Sequence, residues 1–162
     1  MSAETQTIAV TKTVEVPLAP DDAVRLFTTE IDSWWPRTHH IGKSPMVRAI
    51  VEPRTGGRCY TEQMDGSECD WGRVLAWEPP LRLVLAWQIT HQWGYQPDVA
   101  KSSEVEVRFI PVGDATRVEL EHRHFERHGD GGVAMRASVD APNGWTTIMG
   151  LYANRVKERA AA

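Results

Sequence analysis

Histidines, cysteines and tryptophans hold the side chains from which chemistry could be built in this chain: six His, two Cys and seven Trp among 162 residues. His122 and His124 form a His-x-His pair, and on a strand both imidazoles would face the same side. Together with His39, His40, His128 and a cysteine they include the donor types of a zinc site. No Cys-x-x-Cys and no His-Glu-x-x-His supports that reading, so no metal and no other cofactor is expected. The usual catalytic signatures are missing as well. There is no Gly-x-Ser-x-Gly elbow, no phosphate-binding Gly-x-x-x-x-Gly-Lys and no dinucleotide fingerprint. Gly129-Asp130-Gly131-Gly132 is glycine-rich without matching a strand-to-helix phosphate loop, and the order of Ser, His and Asp singles out no triad. No catalytic residue is assigned, and the chain is read as a binding protein rather than an enzyme.

Composition narrows the partners. Lys and Arg number 18 against 22 Asp and Glu, for a net charge of −4, and no basic stripe forms, which argues against nucleic acid. No apolar run is long enough to cross a bilayer, and Met1–Ala9 has neither the basic nor the apolar region of a secretory leader, so a cytoplasmic protein is expected. In that compartment Cys59 and Cys69 are expected as free thiols. The length, with no repeat or long linker, fits a single domain over residues 1–162.

The elements that must position the histidines and indoles follow from periodicity. Thr7–Val16 alternates like a half-buried strand, and after Pro17 and Pro20 a short helix over Ala23–Glu30 opens on the acidic Asp21-Asp22. Ile31–Pro36 reads as a second short helix or turn. From Val47 to Gln88, strands are separated by Pro53–Gly57, Asp65-Gly66 and Pro79-Pro80; Ser103–Ile110 and Thr116–His124 form a further hairpin around Gly113-Asp114. Trp145, Ile148, Met149, Tyr152 and Val156 recur at helical spacing, predicting a helix over Asn143–Arg159 with Asn143 as its N-cap.

Cross-strand parity then assigns faces. In the last hairpin Phe109 pairs with Val118, Val107 with Leu120 and Val105 with His122, which leaves one imidazole on an apolar inner face. Gly72, Val74 and Ala76 group with Leu83, Leu85 and Trp87 on the inner side. The same rule sends Cys59 and Cys69 to opposite faces. It also puts Tyr60, Trp71 and Trp77 outside with Arg73 and Arg82, an exposed aromatic patch suited to a homodimer or a protein partner.

Laid in order, the stretches Ile31–Gly42, Val51–Tyr60, Gly66–Trp87, Ser103–Phe109, Thr116–Gly129 and Gly144-Trp145 resemble the SRPBCC (START-related) superfamily. Within it the sequence is similar to bacterial homologues of the activator of the heat shock protein 90 ATPase. The resemblance implies an α+β helix-grip fold: a curved antiparallel sheet of six to seven strands wraps a long C-terminal helix, with two short helices after the first strand. It also implies a cavity between sheet and helix for a small hydrophobic or amphipathic molecule. The expected lining is Trp87, Val105, Val107, Phe109, Val118, Leu120, Trp145, Met149 and Tyr152, with Trp35 near the mouth and His122 as the polar group that orients the ligand. Two alternatives stand beside ligand binding. One is a chaperone-ATPase activator acting through its outer surface in the stress response, and the other is a cyclase- or hydrolase-like enzyme using His122.

Overall fold

The computed structural model describes residues 8–161. The expected first strand residue, Thr7, lies outside them, as does most of the Met1–Ala9 segment. Seven antiparallel strands form one sheet: β1 (Val10–Val16), β2 (Met46–Val51), β3 (Arg58–Gln63), β4 (Glu68–Glu78), β5 (Arg82–Trp87), β6 (Ser103–Val112) and β7 (Ala115–Arg123). Their spatial order is β1-β7-β6-β5-β4-β3-β2, a meander closed by the return of β1 to β7. Helix α1 (Pro20–Phe27) starts with proline in its first turn, followed by Asp21 and Asp22 at the positive end of its dipole; a single 3-10 turn follows at Ile31–Ser33. This is the helix-grip architecture.

The closing segment differs from the single helix expected. Helix α2 (Gly132–Asp140) precedes a π-helical turn at Pro142–Thr146, and the long helix α3 covers Thr147–Ala161. Asn143 is therefore inside the turn and caps no helix. Gly144 makes the break: its backbone approaches α2 so closely that a Cβ there would stand 2.2 Å from the Val139 carbonyl oxygen. Tight packing of the turn on α2 redirects the chain before α3 begins.

Register agrees with parity on one side of the sheet and departs from it on the other. Phe109 faces Val118, Val107 faces Leu120 and Val105 faces His122, as the alternation requires. Strand β4 breaks the rule twice. Cys59 pairs with Gly72 while Tyr60 pairs with Asp70, leaving Trp71 as an extra residue; Val74 pairs with Leu85 while Ala76 pairs with Val84, leaving Leu75 extra. Each bulge shifts the face of everything beyond it.

Trp71 is consequently buried rather than outside, and Trp77 is half-buried against the core opposite Leu83. Tyr60 alone of the three stays on the outer side, under the Arg58 guanidinium, 3.9 Å from its ring centroid. The aromatic patch read as a dimer or partner surface does not exist. The thiols change too: Cys69 faces Thr61, on the same side as Cys59, and both are free. Elsewhere the outer face of β5–β7 is a grid of ion pairs, in which Arg82 and Arg123 share Glu106 while Arg123 and Arg127 share Glu104.

Candidate functional site

Five of the seven indoles converge on one cavity of about 390 Å³: those of Trp35, Trp71, Trp87, Trp93 and Trp145. Each arrives by a different route. Trp35 follows the 3-10 turn and is pinned by its Nε1–H, which donates to the His39 carbonyl at 2.8 Å. Trp71 enters through the first β4 bulge and stacks on Trp35, with centroids 5.6 Å apart and planes 12° apart. Trp87 ends β5 and meets Trp71 edge-on. Trp93 stands at the rim, 51% exposed, on a backbone with φ of 64° that non-glycine residues seldom adopt. Trp145 is delivered by the π-helical turn. Ile41, Ile89, Val139, Ala141 and Ile148 complete the apolar lining.

Behind the Trp145 wall lies a polar relay that runs from buried His122 and Ser103 to half-buried His128. Trp145 Nε1–H donates to His122 Nδ1 at 3.0 Å, and an indole nitrogen can only donate. The neutral imidazole therefore carries its proton on Nε2 and gives it to Ser103 Oγ at 2.7 Å. The Ser103 hydroxyl in turn donates to His128 Nε2 at 2.8 Å. Burial pushes the His122 pKa well below its ordinary value, and the neighbouring His128 adds to the shift. Both ring nitrogens are engaged and the residue is wholly enclosed. His122 cannot orient a ligand directly; it holds Trp145 in place.

The polar edge of the cavity comes instead from the loop after the first helical segment. Thr38, His39 and His40 line it on one side, with Ser138 and Asn143 on the other. His39 Nε2–H donates to the Asn143 carbonyl at 2.7 Å, and the Thr38 hydroxyl donates to His39 Nδ1 at 3.0 Å. That histidine straps the loop to the π-helical turn. His40 Nδ1 lies 3.4 Å from Gln63 Nε2.

Of the residues expected to line the site, the structure brings Trp35, Trp87 and Trp145 together around the cavity. Val105, Val107, Phe109, Val118, Leu120, Met149 and Tyr152 are buried in a packed core instead. There Phe109 packs edge-on against Phe27, Phe27 edge-on against Tyr152, and the Tyr152 hydroxyl donates to the Ala23 carbonyl at 2.8 Å. Burial raises the Tyr152 pKa far above its ordinary value, so the phenol stays protonated. Sequence reading missed Trp71, His39 and His40 as cavity residues. Gly72 was the available signal for Trp71, because a glycine inside a strand pattern often marks a bulge or a close backbone approach. A Cβ at Gly72 would indeed stand 2.5 Å from the Ala86 carbonyl oxygen. Among the described residues no cluster of three His, Cys, Asp or Glu is placed to hold a metal.

The family model for activator of Hsp90 ATPase homologue 1-like proteins matches residues 20–150. The chain belongs to this family. Three solved structures illustrate the likeness. The anthrahydroquino-γ-pyrone synthase Txn09, complexed with SUM, is 38% identical, with a TM-score of 0.64 over 92% of this chain and 97% of that one. The self-sacrificing resistance protein CalC from Micromonospora echinospora is 27% identical, with a TM-score of 0.66 over 93% and 95%. A protein from Nitrosomonas europaea, 18% identical with a TM-score of 0.65 over 94% and 96%, shares the fold. No curated protein matches the chain. Family membership brings an SRPBCC helix-grip fold with a cavity suited to small molecules, and none of the described helices is long and apolar enough to cross a membrane.

Proposed function

We propose that this protein binds a flat, polycyclic aromatic molecule, of the anthraquinone or hydroquinone class, in its tryptophan-lined cavity. The convergence of five indoles on that cavity carries the reading. Aliphatic side chains would suffice to enclose a fatty chain. Indoles present rigid planar faces, and they favour a ligand that can stack offset or edge-on against them. At about 390 Å³ the cavity lies within the usual range for small-molecule sites. A three-ring ligand burying about 250 Å² of apolar surface gains about 6 kcal/mol before the costs of association, so weak to micromolar affinity is expected. The name of the 38% identical relative, a synthase of an anthrahydroquinone-type pyrone, supports the same ligand class.

That relative also favours a second reading, ring closure on the bound molecule. A chaperone-ATPase activator reading rests on the family description alone, and the outer face of β5–β7 is a charge-paired grid.

Isothermal titration calorimetry of the whole chain tests the binding reading. Anthracene-2-sulfonate and 9,10-anthraquinone-2-sulfonate are soluble three-ring probes, and decanoate serves as the aliphatic comparator. Saturable binding of at least one sulfonate, tighter than decanoate and weakened by Trp71→Leu, is expected. Tighter binding of decanoate, or no saturable heat with either sulfonate, would overturn it.

A further inference from the structure

Two consecutive histidines stand at the polar edge of the cavity, and their hydrogen bonds give them different work. His39 has both ring nitrogens committed, to Thr38 and to the Asn143 carbonyl. His40 has only Nδ1 committed, to Gln63, and its Nε2 makes no hydrogen bond among the described residues. Of the two imidazoles that line the cavity, this is the one nitrogen among the described residues left for a ligand.

The Gln63 amide decides where the His40 proton sits. The Ser44 carbonyl oxygen can only accept, and it lies 3.5 Å from Gln63 Nε2. With the amide so placed, the Thr61 hydroxyl donates to Gln63 Oε1 at 2.8 Å. Gln63 therefore presents an N–H to His40 Nδ1, and that nitrogen must accept. In the neutral ring the proton is then on Nε2. Thr61 and Gln63 are both buried on the inner side of β3, where polar side chains are costly unless paired. Gly42 gives the amide its room, since a Cβ there would stand 2.6 Å from Gln63 Cδ. The sequence thus keeps a buried Thr–Gln pair and a glycine whose shared effect is to set one tautomer of one cavity histidine.

We infer that His40 is a selectivity residue whose Nε2–H donates to a ring carbonyl oxygen of the aromatic ligand, with Gln63 as its positioning residue. The inference rests on the reading of the cavity as a site for flat aromatic molecules. It adds a direction: the site prefers a quinone or other ring ketone over a hydrocarbon of the same shape. In this tautomer a neutral His40 gives a hydrogen bond and takes no proton from a ligand hydroxyl.

Two sulfonates that share three rings and one charge but differ in two ring carbonyls separate these statements. Calorimetry is done at about pH 8, where an ordinary imidazole is neutral. Wild type is expected to bind 9,10-anthraquinone-2-sulfonate about tenfold more tightly than anthracene-2-sulfonate, the scale of one well-placed buried hydrogen bond. His40→Phe, which keeps a ring of similar size, is expected to bind the two within about twofold of each other. Gln63→Met, which removes the amide, is expected to reduce the preference by releasing the tautomer. Nitrogen-15 NMR of the histidines gives an independent readout: His40 should show a protonated Nε2 and a bare Nδ1 in wild type, and a mixture in Gln63→Met.

Equal binding of the two probes by wild type overturns this inference alone and leaves the cavity reading standing. So does a preference that survives in His40→Phe, or an NMR signature with the proton on Nδ1. If His40→Phe does not fold, the tautomer and the Gln63→Met preference decide. Failure of both sulfonates to bind overturns the cavity reading and this inference with it.

Discussion

The inner face of the sheet has two halves that began from similar residues and ended differently. Toward β1, β6 and β7, Phe109, Val118 and Leu120 of the sheet are buried with Met149 and Tyr152 of α3 in one packed core. Toward β3–β5, indoles of comparable bulk stand around an open volume. Chain geometry makes the difference. In the first half the register of β6 on β7 is unbroken and helices α1 and α3 pack against that side of the sheet. In the second, β4 bulges twice and the helical cover is interrupted by the Pro142–Thr146 turn. Large side chains fill a space when both surfaces are regular, and they become walls when both are bent.

The strongest way to break this comparison is to open the closed half. Phe109→Ala should cost about 3–5 kcal/mol in urea unfolding, because a fully buried ring in a tight contact leaves a cavity that cannot collapse. A loss under 1 kcal/mol would mean that the two halves are packed alike. Next comes His122→Leu, which orphans the Trp145 N–H and leaves the Ser103 hydroxyl with His128 alone. It should destabilise the protein by about 3 kcal/mol while leaving the quinone-to-hydrocarbon preference intact. If the preference moved with His122, the division of roles between the two histidine regions would be wrong.

Acid offers a third, smaller lever. The pKa of His122 is pushed well below 6.5 by burial and by His128, and that of His128 is lowered by its own burial and by His91. As pH falls through about 6.5 the unfolded chain takes up these protons while the folded one does not. Stability should therefore be flat above neutrality and fall on acidification by about 1.4 kcal/mol per pH unit for each such proton, and His122→Leu should flatten the slope. In the open half, Trp71→Leu should cost only about 1–2 kcal/mol of stability, since the ring already borders free space, yet weaken aromatic-sulfonate binding about tenfold. The smallest effect belongs to Trp93→Ala at the exposed rim. Unfolding should change by under about 0.5 kcal/mol and affinity by a few-fold.

The closed half was largely legible in the sequence and the open half was not. Alternation from Val105 to Phe109 and from Val118 to His122 needs no correction, because two regular strands obey a period of two. It even placed His122 inside. What it could not supply was the partner of that imidazole, since Trp145 reaches it only through a turn that helical periodicity reads as continuous helix. Trp71 and Trp77 were sent to the wrong face because one extra residue inverts every later assignment. His39 and His40 lie in a loop, where no periodicity applies, and their difference rests on Gln63, more than twenty residues away. Whether apolar residues fill a space or surround one depends on the curvature of both layers, which pattern does not encode.

The abundance of tryptophan has an optical consequence. Trp34, Trp35, Trp71, Trp87 and Trp145 form an unbroken chain of ring contacts, each centroid within 5.9 Å of the next. Excitation absorbed by any one of them is shared among all, so their emission behaves as one signal rather than five. A quinone seated against any link is an acceptor for the whole chain and darkens it together. The walls of the cavity are thereby its own reporter, and occupancy can be read from unlabelled protein.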